Sequence, residues 1–224
     1  TSSKGKVCCI EESRALALWF WNSLSFNRLP FVLASRLARA PGSSQTRLMK
    51  NEYYQEKPAD YFQGCREDFV SWMPEAGHDH VLEIGCAAGA TGELALRTGK
   101  ARQYVGVEIS EAIAQTARDK LTTVHVGDVE TMPLDYPPGT FDALVMSEVL
   151  EHLVDPWAVL TRLHGLLRPG AAVYASSPNI SHHSMIRRLM AGDWTLEDRG
   201  AMDRTHLRWF TPKTYVQMFE DTGF

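Results

Sequence analysis

Short apolar runs alternate with glycine-bearing turns and mixed stretches through most of the chain. Val81-Leu-Glu-Ile84 reads as a buried strand that turns through Gly85 and Gly89 straight into a helix. Tyr104-Val-Gly-Val-Glu-Ile-Ser110 reads as a second strand and Thr123-Val-His-Val126 as a short third. Phe141-Asp-Ala-Leu-Val-Met-Ser147 is apolar enough to be buried on both faces of a parallel sheet. Ala171-Ala-Val-Tyr-Ala-Ser-Ser177 supplies a fifth strand after the loop Leu166-Leu-Arg-Pro-Gly170. Between them, Glu111 to about Leu121 is helical, Glu148-Val-Leu-Glu-His152 opens a further helix, and Thr211-Pro212 stands at the N-cap and N1 positions of another. Strands that alternate with helices in this way predict an α/β fold, a doubly wound and mostly parallel sheet.

The first fifty residues follow a different pattern. Ala15-Leu-Ala-Leu-Trp-Phe-Trp21 is strongly apolar, but Asn22, Ser23 and Asn27 end it well short of the ~20 apolar residues of a membrane span. Glu11 and Glu12 before it do not suit a secretory signal. The run reads as a buried or partner-binding helix, and Arg36 to Arg47, with Ala40-Pro-Gly-Ser-Ser44 inside it, reads as a linker. The chain therefore divides into a helical and linker segment, 1–50, and a folded domain, 51–224.

Composition adds restrictions. An apolar share of 44% with 22% charged residues is that of a soluble globular protein, and a formal charge of −4 argues against a dedicated nucleic-acid surface. Arg187, Arg188, Arg199, Arg204 and Arg208 cluster late in the chain, either as solvated residues on the substrate side or as contacts for an anionic or sugar-phosphate substrate. Cys8, Cys9, Cys65 and Cys86 form no C-x-x-C pair, so a reduced, cytoplasmic protein is the simpler inference.

The turn after the first strand carries the chemistry. A dinucleotide fingerprint needs glycines at 85, 87 and 90, but Ala87 and Ala90 stand at two of these positions. An acid, Glu83, precedes the first glycine instead, and it suits a ligand with a cationic amino-acid end. Glu83, Gly85, Ala87 and Gly89 resemble motif I of the class I S-adenosylmethionine-dependent methyltransferases, with Ala87 in place of the usual middle glycine. The resemblance continues in order to about residue 224. It implies a Rossmann-like sheet in which Glu108, beside Ile109, holds the ribose hydroxyls and Asp128 accepts from the adenine amine. Val129 and Met132 then pack on the ring, Cys86 lies beneath the turn, and Ser147 ends the fourth strand beside the cofactor. Glu83, Glu108, Asp128 and Ser147 all fall at or near strand carboxyl ends, where such sheets bind ligands. Tyr53, Tyr54, Tyr61 and Phe62 occupy positions that in many relatives form a lid helix, and core packing explains them equally well. Because the family's sheet has seven strands, the resemblance also predicts that this chain lacks the last antiparallel pair and leaves its fifth strand as an edge.

Methyl transfer asks the protein to align an acceptor with the sulfonium, to exclude water and often to remove a proton. Glu148, Glu151 and His152 have i, i+3, i+4 spacing and so predict one shared helical face. Three readings stay open for that face: a divalent metal site, a general base at His152, or a polar wall of the pocket. No metal ligand is assigned. The Glu-x-x-Glu-His pattern resembles that of small-RNA methyltransferases, where it carries metal, and of ubiquinone-pathway O-methyltransferases. Within the polar segment from Gly192 to Thr211, the run Asp203-Arg-Thr-His-Leu-Arg-Trp-Phe-Thr211 resembles that of a bacterial branch associated with sugar and polysaccharide modification. Trp194 and Trp209 would stack on a sugar or aromatic acceptor, and Asp203 with His206 would bind or deprotonate a hydroxyl, or else brace the segment. The catalytic candidates are thus His152, His206 and Glu148. The expected activity is methyl transfer from S-adenosylmethionine to an oxygen of a small molecule, such as a sugar, a polysaccharide precursor or a phenol-like compound. The competing reading is a cofactor-binding module that acts with a partner protein. No Asn/Asp-Pro-Pro-Tyr motif is present, which lowers base methylation.

Overall fold

The computed structural model describes residues 62–224. The apolar run at 15–21, the linker and Tyr53, Tyr54 and Tyr61 lie outside the described residues. Five parallel strands form one sheet: β1 (His78–Ile84), β2 (Ala101–Glu108), β3 (Thr123–Val126), β4 (Phe141–Ser147) and β5 (Leu167–Ser176), in the order β3-β2-β1-β4-β5. The helices are α1 (Glu67–Trp72), α2 (Ala90–Arg97), α3 (Glu111–Arg118), α4 (Pro156–His164), α5 (His183–Met190) and α6 (Pro212–Asp221). From β1 the chain winds outward through β2 and β3, then returns to place β4 on the other flank of β1. The direction reverses between β1 and β4, and a crevice opens there at the carboxyl ends of the strands.

The period-two alternation of the strands divides the core. Leu82, Ile84, Leu144 and Met146 pack on one face against Val159, Leu160 and Leu163 of α4 and Tyr215, Met218 and Phe219 of α6. Val81, Tyr104, Ala143 and Val145 pack on the other against Phe69 and Val70 of α1, Ala95 of α2 and Ala117 of α3. Each large apolar side chain so buried contributes about 1.5–3 kcal/mol. On this second face, Gly106 of β2 leaves room for Cys86: a Cβ at position 106 would stand 2.5 Å from Cys86 Sγ.

The structure moves several boundaries. β5 begins at Leu167, so residues 167–170 belong to a strand and not to a loop, with a register break opposite Phe141 and Ala143. The larger difference is at Glu148, where no α-helix opens. Glu148 adopts a left-handed φ of 54°, and Leu150–His152 form a single 3-10 turn. The helix starts only at Pro156, where Asp155 accepts from Ala158 N as the N-cap. A proline at N1 behind an aspartate is a stronger start signal than the spacing of Glu148, Glu151 and His152, and it holds the preceding residue out of the α region. At α6 the expected start is found, with Thr211 and Thr214 closing a capping box ahead of Pro212.

Candidate active site

A cavity of about 450 Å³ lies along the carboxyl ends of the strands. Its lining comes from two groups of elements: Glu83, Glu108 and Asp128 at or after β1, β2 and β3, and His152, Asp203 and His206 from the turn after β4 and the segment before α6.

The turn from β1 to α2 sets the first group. Ala87 takes a left-handed φ of 47°, which costs a non-glycine residue roughly 1–2 kcal/mol. A bond offsets this, since Ala87 N donates to Glu108 Oε2 at 3.0 Å. Ser110 N donates to the other oxygen at 2.9 Å, so the Glu108 carboxylate is held on the cavity wall by two backbone amides. Burial is the largest influence on Glu108 and raises its pKa, against which these amides pull down.

Glu83, near the end of β1, is 3% exposed, and its Oε2 has no hydrogen-bond partner. Burial lifts its carboxyl to about 8; the Tyr104 hydroxyl and Arg66 oppose the rise and the Glu108 charge adds to it. A buried carboxyl with one unpartnered oxygen on a ligand cavity suits a cationic ligand group, which would remove the cost of burying the charge.

Asp128 lines the cavity and also closes its own turn, its Oδ1 accepting from Glu130 N at 2.9 Å. Gly85, Cys86, Ile109, Val129 and Ser147 line the cavity as well, and burial raises the Cys86 thiol pKa. Two expected cofactor contacts are placed elsewhere. Gly89 does not line the cavity: it is the N-cap of α2 with φ 77°, and a Cβ there would meet Ala117 of α3 at 3.1 Å. Its glycine serves helix packing. Met132 packs against Gly127 rather than onto the cavity.

Arg66, just before α1, escaped the sequence reasoning. Its Nη1 donates to Ser147 Oγ and Ser176 Oγ, both at 2.6 Å, while Nε and Nη2 hold Asp68. The guanidinium lies 3.6 Å from the Phe69 ring centroid and lines the cavity. No spacing marks it, because its partners at the ends of β4 and β5 lie far along the chain.

The second group is assembled from the 3-10 turn after β4 and from the segment before α6. Glu151 accepts from Leu207 N at 2.8 Å and Arg208 N at 3.0 Å through its carbonyl, which ties the two together. His152 Nδ1 meets Thr205 O at 3.2 Å and His206 Nδ1 meets Ala201 O at 3.3 Å. The two imidazoles stand edge to face with centroids 4.7 Å apart. Asp203 Oδ1 accepts from Thr205 N and Oγ1, so it braces its own turn while lining the cavity. Glu151 is buried, and neither carboxylate oxygen has a hydrogen-bond partner; burial first, and then Glu148, holds its carboxyl well above the usual range.

Other expectations for this group are corrected. Trp194 and Trp209 do not line the cavity; they pack on each other at 5.3 Å, and Trp209 Nε1 donates to Ala201 O. Three of the clustered arginines serve internal bonds: Arg188 to Asp193 and Glu197, Arg204 to Asp198, and Arg208 to Val154 O.

Comparisons with known proteins agree with this architecture. The family described as "Methyltransferase domain" matches residues 37–224. The chain is 28% identical over 130 residues to a ubiquinone biosynthesis O-methyltransferase of Xanthomonas campestris, covering 55% of this chain and 53% of that one. It is 25% identical over 179 residues to the Chromobacterium violaceum protein of the same name, covering 75% and 73%. The chain thus spans about half the length of the first of these relatives. A Thermotoga maritima SAM-dependent methyltransferase shares the fold, with 21% identity over 80% of this chain and 79% of that one and a TM-score of 0.54. A family match across residues 37–224, on a five-stranded parallel sheet with acids at its carboxyl ends, settles the class: the chain belongs to the class I S-adenosylmethionine-dependent methyltransferases.

Proposed function

We propose that this protein transfers the methyl group of S-adenosylmethionine to an oxygen of a small aromatic acceptor. The observation that carries the cofactor's placement is Glu83, whose Oε2 is buried at the cavity without a hydrogen-bond partner. It receives the methionyl ammonium, and Arg66 faces the carboxylate of the same end. Glu108 takes the ribose hydroxyls, Asp128 the adenine amine, and Ile109 and Val129 the faces of the ring.

The bound cofactor supplies an electrophilic methyl group on its sulfonium. The protein's own work is to hold the acceptor in line with it, to keep water out and to manage the hydroxyl proton. Phe62, Val149 and Leu153 give the cavity apolar wall, while His152 and His206 bring imidazoles to its far end. Glu148 lines the same cavity.

A phenol-like acceptor is supported over a sugar on one ground: the similar proteins of X. campestris and C. violaceum are named as ubiquinone biosynthesis O-methyltransferases. Imidazoles on the cavity wall favour an enzyme over a cofactor-binding module. The cytoplasm is the proposed compartment: Cys65 and Cys86 are free thiols, and no helix among the described residues is long and apolar enough to cross a membrane.

The test is to incubate the protein with S-adenosylmethionine and separate panels of catechols, simple phenols and sugars, following S-adenosylhomocysteine by mass spectrometry. Turnover confined to the phenolic panels supports the reading. Tight cofactor binding with no turnover on any hydroxyl overturns it in favour of a binding module.

A further inference from the structure

We propose that Glu130 is a positioning residue that ties the turn around Asp128 to the turn carrying His152, so that an adenine bound at Asp128 is registered at His152. The proposal rests on the reading of Asp128 as the adenine contact and goes beyond it.

The start of α4 shows why a tie is there. A helix whose N-cap side chain accepts from the N3 amide is completed by a Glu or Gln at N3 that reaches back to the N-cap N–H. α4 has the first half of that device: Asp155 Oδ1 accepts from Ala158 N at 3.0 Å. Ala158, at N3, has no group with which to return the bond. Glu130 returns it from 25 residues away, its Oε1 accepting from Asp155 N at 2.9 Å. The capping box of α4 is thus closed by the turn that follows β3.

Glu130 has a second bond in that turn. Its backbone N donates to Asp128 Oδ1 at 2.9 Å, so one residue binds Asp128 through its main chain and Asp155 through its side chain. Arg162, two helical turns further along α4, supports the same docking by donating to the carbonyls of Val129 and Met132, on either side of Glu130. Glu130 Oε2 is buried and has no hydrogen-bond partner. Burying a carboxylate oxygen in this way is costly, and the bond from Asp155 N, at the positive end of α4, offsets the cost.

The other side of the tie leads to the imidazole. Only Leu153 and Val154 separate His152 from Asp155. Val154 O accepts from Arg208 Nη2, and Glu151 O accepts from Leu207 N and Arg208 N. Leu153, pinned on both sides by these bonds, is buried and lines the cavity. A shift of Asp155 N therefore meets little slack before it reaches His152. Short hydrogen-bonded links between packed elements are the physical means by which two parts of a site are coupled.

The test reads His152 and not methyl transfer. The full chain, isotope-labelled at histidine, is saturated with 5′-methylthioadenosine; NMR follows the His152 ring and calorimetry the affinity. The His152 resonances should shift on binding. Alanine at 130 leaves Asp155 N without its acceptor, aspartate keeps the charge but falls one methylene short, and glutamine keeps an oxygen at the same reach. In Glu130→Ala and Glu130→Asp, affinity should fall about three- to tenfold, the effect of one hydrogen bond, and the His152 shift at saturation should drop to roughly half or less. Glu130→Gln should restore both. A role confined to stability would lower the unfolding temperature and leave the shift of the saturated protein intact. A His152 that ignores the ligand in the parent overturns the proposal, as does a full shift in the folded Ala and Asp variants. An affinity indifferent to Asp128→Asn overturns the adenine reading and the proposal with it, which separates that failure from a failure of the tie.

Discussion

Arg66 Nη1 donates to Ser147 Oγ at 2.6 Å and thereby fastens the segment ahead of α1 to the end of β4. The bond fixes a cation on the cavity wall on the same side as Glu83, whose carboxyl it helps to pull down in pKa. The two form a pair suited to a zwitterion, the amino-acid end of the cofactor. Arg66→Ala should therefore weaken S-adenosylhomocysteine by about 1.5–3 kcal/mol, the range for a hydrogen bond to a charged group. It should leave 5′-methylthioadenosine, which lacks the amino-acid end, nearly unaffected. Equal losses for both ligands, measured by calorimetry, would instead give Arg66 a purely structural role.

Glu83 predicts a pH dependence whose sign is fixed by its environment. Without ligand the carboxyl keeps its proton up to about 8, whereas the unfolded chain releases it near 4.5. The folded pKa is raised, so the native state is favoured at low pH and loses that advantage as pH rises from 4.5 towards 8. An ammonium beside Glu83 requires the ionised form, so cofactor binding below 8 expels a proton. Affinity for S-adenosylhomocysteine should accordingly rise from pH 6 to 8, by up to about tenfold per unit, and then level. The same titration on Glu83→Gln should be flat; a slope that survives the substitution would assign the effect to another group.

What was legible in the sequence follows from the range of the forces involved. The strands could be read because Phe141 to Ser147 or Tyr104 to Glu108 carry their burial in consecutive residues, and the acids that end them are local to those runs. Glu148, Glu151 and His152 misled because their helical spacing is real while the helix is not: Asp155 and Pro156, a few residues later, fix where α4 begins. Arg66 was hidden for the opposite reason: it works through Ser147 and Ser176, a relation that leaves no trace in local spacing. His206 was legible as a candidate, but its approach to His152 was not. Gly89 shows that a motif position can be right and its purpose different, since its missing side chain makes room for α3.

Close packing beneath the cofactor turn gives a stability prediction. A Cβ at Gly106 would meet Cys86 Sγ at 2.5 Å and Leu121 Cδ1 at 2.7 Å. Gly106→Ala should destabilise the protein by about 1–3 kcal/mol through overpacking. Cys86→Ala removes the nearer of these atoms, so the double variant should be more stable than the sum of the two single losses implies. Strict additivity in urea denaturation would show that residues 86 and 106 do not contend for the same space.

Asp128 offers the sharpest separation of a structural from a binding role. Its Oδ1 accepts from Glu130 N, and the residue lines the cavity where an adenine amine would be met. Asparagine retains an oxygen for the turn and presents an NH₂ group in the remaining direction, donor facing donor. Asp128→Asn should thus unfold within a degree or two of the parent yet bind S-adenosylhomocysteine about tenfold or more weakly, a cost on the order of 1–3 kcal/mol for an unmet buried donor. Inosine in place of adenosine in the cofactor exchanges the amine for a carbonyl, so the same variant should recover part of its affinity for the inosine analogue. If Asp128→Asn loses stability and affinity together, and shows no preference for inosine, the side chain closes the turn and does not read the base.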